Sequence, residues 1–135
     1  MASQSGKVSA LNVVLGVLVV LGVLYFIGSS VHTHVPESRL AGSELWFRTG
    51  EWRSHIEEHA KETAKLEGSG LGVKSPLSFD SKFGRVELSI DGNGKISARN
   101  AKFNLEAVIS PTLRDGVVQW QCKGTPPKDM VSWCR

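Results

Sequence analysis

His55-Ile56-Glu57-Glu58-His59 is the segment whose residue types and spacing come nearest to catalysis. It fits the H-x-x-E-H order of inverted zincins. Two histidines at i and i+4 share one helix face and can hold zinc there. Such a site also needs a third protein ligand and a cleft in a larger domain. A short helix in a 135-residue chain offers neither, so the segment reads as a solvated polar face. Asp91-Gly92-Asn93-Gly94-Lys95-Ile96 has the look of the middle of a calcium loop. In that register Ser89 would be the first ligand and Asn100 the twelfth, where a bidentate glutamate is required. A hairpin turn is the better reading. His32-Thr33-His34 reads as a linker. Gly68-Ser69-Gly70-Leu71-Gly72 follows a helical pattern instead of opening one, and lacks the lysine and hydroxyl of a phosphate loop. No serine, cysteine or aspartate pairs with a base. We therefore expect no enzyme activity, metal, cofactor or small-molecule substrate.

Cys122 and Cys134 are the only cysteines. Two cysteines suit one structural bridge outside the cytoplasm, with a pair of free thiols as the alternative. Closing a loop of that size contributes roughly 3 kcal/mol in the chain-entropy model. Their spacing and number fit neither a C-x-x-C redox motif nor a zinc site. Between or beside them lie Lys123, Pro126, Pro127, Lys128, Met130, Val131 and Trp133, the best candidate contact loop. Trp120 and Trp133 read as packing residues. Asp129 and the terminal carboxylate offset much of Lys123, Lys128 and Arg135. With a formal net charge of +3, nucleic acid is not an expected partner.

These residues must be positioned by the elements before them. Leu11 to Ile27 carry no charge, and Asn12 is the single strongly polar side chain among them. A run of roughly 20 apolar residues is enough to cross a bilayer as a helix. The expected organisation is a cytoplasmic N-terminus at 1–10, a transmembrane helix at 11–28, a linker at 29–38 and an exported domain at 39–135. A cleavable secretory signal is the rival reading, with Ser29 and Ser30 as the small residues at the cut. Lys7 before the run, with no Lys or Arg after it until Arg39, favours export of the C-terminal part.

From Arg39 to Glu67 the pattern is helical. Leu45, Trp52, Ile56, Ala60, Thr63 and Leu66 fall along one stripe. Thr49-Gly50-Glu51 marks a restart with Thr49 as N-cap, and Gly68-Ser69-Gly70 a stop. Residues 68–82 read as a loop. Val86, Leu88 and Ile90 then alternate with polar residues as a half-buried strand. Asp91-Gly92-Asn93-Gly94 turns into a return strand at 95–99. A third strand covers 104–109 and ends at Pro111. Arg114-Asp115-Gly116 turns into a fourth at 117–122. The expectation is an α+β domain, an amphipathic helix packed on a four-stranded antiparallel sheet, with a C-terminal disulfide loop.

This order resembles the type IV pilins of Gram-negative bacteria. Ile109, Pro111, Gly116, Val117-Val118 and Trp120-Gln121-Cys122, with Cys134 beyond, are similar to the pilin pattern of an apolar residue, a proline, a turn glycine and a strand ending Trp-x-Cys. The resemblance implies a Cys122–Cys134 bridge and a structural role in a pilus or related filament. It also implies other pilin-like subunits or assembly proteins as partners, and a place in the inner membrane or on the cell surface. Gly6 is followed by Lys7, and Leu11 stands fifth after Gly6, where the family carries glutamate. That departure leaves open a second reading, an uncleaved membrane-anchored pilin-like protein that binds pilins or their assembly machinery.

Overall fold

A computed structural model describes the backbone of residues 10–30 and 35–135, and the side chains of 14–25 and 35–135. The chain divides into two units, residues 1–34 and 35–135. The first contains helix α1, Ala10–Ser30. Its large apolar side chains from Val14 to Tyr25 are all more than half exposed. Among the described residues no helix is long and apolar enough to cross a membrane. The transmembrane helix expected at 11–28 is corrected on that ground.

The second unit opens with α2, Glu37–Arg48, and α3, Gly50–Thr63. Pro36 stands at the N-cap of α2, where its missing N–H costs nothing. The restart at Thr49 is present, but Thr49 does not cap α3 through its side chain. Its hydroxyl donates to the Trp46 carbonyl at 2.8 Å, and the residue is buried between the two helices. The stripe divides accordingly. Leu45 is buried on α2 and Trp52, Ile56 and Ala60 on α3. α3 stops at Ala64, which adopts φ 55°, before the expected glycines. Thr63 is therefore exposed, and Leu66 is only half-buried.

Five antiparallel strands follow in simple order: β1 Leu77–Ser81, β2 Gly84–Ile90, β3 Ile96–Asn100, β4 Leu105–Arg114 and β5 Val117–Thr125. The expectation of four strands is thus corrected to five. β1 is an edge strand of five residues inside the segment read as loop. Its signal, Leu77 and Phe79 alternating with Ser78 and Asp80, is too short to stand out beside Pro76. It forms because Phe79 and Leu77 find Val86 and Leu88 opposite them on β2. Pro111 does not end β4, which continues to Arg114. Beyond Ile109 that strand pairs with β5 alone, so Pro111 lies where one side has no neighbouring strand.

One face of the sheet carries Val86, Leu88, Ile96, Ala98, Leu105, Ala107 and Ile109, which form a single core with Ala41, Leu45, Trp52 and Ile56 of the helices. Each fully buried large side chain contributes about 1.5–3 kcal/mol. The other face is polar. Glu87 stands opposite Arg99, and Arg99 opposite Glu106, so charges alternate across the strands.

Candidate functional site

The expected contact loop forms a clasp at the end of β5. The β4–β5 turn is Asp115-Gly116, both with positive φ (49° and 76°), the two-residue geometry that suits the twist of a hairpin. After β5 the chain makes two 3-10 turns, Pro127–Asp129 and Ser132–Cys134. Cys134 then bridges back to Cys122, 12 residues earlier, with Cα atoms 4.4 Å apart. The bridge points to an extracytoplasmic location.

Between the turns Met130 enters the core with no exposed surface. It is a packing residue and not a surface contact, which corrects its place among the candidates. Two glycines make the room. A Cβ on Gly124 would meet the Met130 side chain, and one on Gly42 of α2 would meet the Asp129 carbonyl. The clasp also holds the start of α2 by polar contacts. The Ser38 hydroxyl donates to Asp129 Oδ1 at 2.8 Å, and Arg39 Nη2 donates to the Lys128 carbonyl at 3.3 Å.

Lys123, Pro127 and Lys128 are exposed, and Pro126 and Val131 are half-buried. Lys123, Pro127 and Trp133 line one open groove of about 830 Å³, together with Lys95, Gln121 and Arg135. Pro126 and Lys128 do not line it. Its charged walls are Lys95, Lys123 and Arg135, with no acidic side chain among them.

The tryptophans belong to a second arrangement, joining the clasp to the helices. Trp133 is 56% exposed and meets Trp46 edge to face, with ring centroids 5.9 Å apart. The Arg53 guanidinium lies 3.8 Å from the Trp46 ring centroid, and its Nη2 donates to the Trp46 carbonyl at 3.3 Å. Burial pushes the Arg53 guanidinium below its ordinary pKa, and the nearby Glu57 carboxylate opposes that shift. Trp120 Nε1 donates to Glu57 Oε1 at 2.7 Å, tying β5 to α3. Residue types did not signal this pair, since 63 positions separate its members.

The remaining candidates stay dispersed. His55 and Glu58 are exposed, and His59 Nε2 lies 3.0 Å from the Glu67 carbonyl. Among the described residues no group of three or more His, Cys, Asp or Glu is placed to hold a metal ion. Asp91 Oδ1 accepts from the backbone N–H of Asn93 and of Lys95, both at 2.9 Å, so this carboxylate serves the hairpin. Gly68 N–H donates to the Gly92 carbonyl at 2.8 Å, which docks the glycine-rich segment on the same hairpin. His32 and His34 lie outside the described residues. Among the described residues the geometry offers an interaction surface and a disulfide-closed clasp, and no assembled acid, base and nucleophile. Comparison with family models, with characterised proteins and with solved structures found no match.

Proposed function

We propose that this chain is a pilin-like structural protein, a subunit or minor component of an extracytoplasmic filament. One observation carries the reading: the last strand, β5, ends in a disulfide-closed segment whose Met130 plugs the core beneath α2. That clasp ties the two ends of the domain together, as a subunit under mechanical load requires. The apolar surface of α1 supports it. A helix with Val14, Leu18, Leu21 and Tyr25 each more than half exposed is unstable in water alone. In a filament, copies of α1 would cover one another.

A second reading has its own observation. Lys7 follows Gly6 and Leu11 stands where pilins carry glutamate. An interaction module that binds pilins or their assembly machinery without polymerising fits that feature. Shearing cells and analysing the filament fraction by mass spectrometry separates the two. A filament subunit is recovered there, with a single N-terminus created by processing. Recovery only outside filaments, with Lys7 and the residues before it retained, sinks the subunit reading and leaves the interaction module.

A further inference from the structure

The β2–β3 hairpin tip carries an asparagine followed by glycine, Asn93-Gly94, and the fold treats the two residues differently. Asn93 is exposed, whereas Gly94 is buried. Gly94 has φ +81°, and a Cβ there would lie 2.6 Å from Ser69 Oγ and 3.2 Å from the Ile56 side chain of α3. The Gly94 N–H donates to the Asp91 carbonyl at 3.1 Å. The N–H groups on either side, of Asn93 and Lys95, donate to Asp91 Oδ1. Three consecutive backbone donors are thus held by one residue, and the glycine is clamped against α3.

An asparagine before glycine can react with its own chain. The Gly94 nitrogen attacks Cγ of the Asn93 amide, forming an N–Cγ bond as the Cγ–Nδ2 bond breaks. Nδ2 leaves as ammonia, carrying the proton lost by the Gly94 nitrogen. The resulting succinimide adds water. Opening at the Cγ carbonyl restores the main chain as aspartate, and opening at the backbone carbonyl gives isoaspartate. Both products add one carboxylate, and isoaspartate also adds a carbon to the main chain. In the docked hairpin the attacking N–H is spent on the Asp91 carbonyl and the tip cannot pivot.

We propose that Asn93 is a self-modification site, held unreactive by Asp91 while the hairpin is docked on α3 and committed to modification when the hairpin opens. Isoaspartate lengthens the chain beside Gly94, where Ser69 and Ile56 leave no space, so the hairpin cannot return to its seat. A transient opening becomes a permanent one.

The test is peptide mass mapping of the full chain after incubation in mildly alkaline buffer, folded and in urea. The folded chain should modify Asn93 at least about tenfold more slowly than the unfolded one, since reaction requires local opening. Asp91→Ala removes two hydrogen bonds of the tip and should raise the folded rate about tenfold. Ile56→Val loosens the clamp with the turn intact and should raise it in the same direction, which covers a folding defect in the first variant. The isoaspartate form should lose amide-exchange protection at Gly94, whereas Asn93→Asp should keep it. Equal rates folded and unfolded, no acceleration in both variants, or retained protection in the isoaspartate form would each overturn the proposal.

Discussion

The clasp makes a prediction about coupling. Removing the bridge by Cys122→Ala with Cys134→Ala opens a loop whose ends are 12 residues apart. The chain-entropy relation then gives a loss of about 3 kcal/mol. Met130→Ala empties a site with no exposed surface, and a fully buried methionine truncated to alanine costs about 2–5 kcal/mol. The two perturbations act on one segment. Once either holds the segment poorly, the other has less to lose. The combined variant should therefore cost at least about 1 kcal/mol less than the sum, the size of coupling seen between residues that share a unit. Urea unfolding followed by circular dichroism at constant m-value reads all three numbers. Each single perturbation should also lower the melting temperature by roughly 10–20 °C for a domain of this size. Strict additivity would refute the reasoning, because it would mean that Met130 and the bridge stabilise the fold through separate elements.

Three further outcomes follow from particular contacts. Gly42→Ala should destabilise by about 1–3 kcal/mol although alanine is the better helix former, because its Cβ would meet the Asp129 carbonyl; a stabilised variant in a thermal melt would contradict that packing. Trp120→Phe removes the donor to Glu57 and should cost about 1 kcal/mol or less at this exposed bond. Glu57→Gln keeps an acceptor and should cost less still, so an equal loss in both variants would refute the hydrogen bond as the cause. Equimolar zinc should leave the melting temperature unchanged, since His55 and Glu58 point into solvent and His59 is engaged with the Glu67 carbonyl; a rise on zinc addition, reversed by His55→Ala, would restore the metal reading.

Much of the sheet was legible because its signals are local. The alternation at Val86, Leu88 and Ile90 and the turns at Asp91-Gly92-Asn93-Gly94 and Asp115-Gly116 each report a backbone preference that neighbours along the chain enforce. The same holds for the restart at Thr49. The cysteine pair was readable as one bridge, since a chain with two cysteines has one way to pair them. β1 was not legible. Five residues with two apolar positions become a strand only when β2 presents Leu88 and Val86 to Leu77 and Phe79. The passage of β4 through Pro111 depended on a missing neighbour, which no local pattern records. The exposed histidines were readable as a polar helix face, but the seating of His59 against the Glu67 carbonyl required the turn at Ala64.

By itself the sequence determined the alternation of β2, the hairpin turns and the cysteine content, because propensity, periodicity and turn chemistry act over a few residues. Only the tertiary structure decided that Met130 is a plug, that Gly42 and Gly124 exist to admit it, and that Trp120 reaches Glu57 across 63 positions. Those outcomes come from close packing, where a side chain's role is set by the shape of the space that distant segments leave for it.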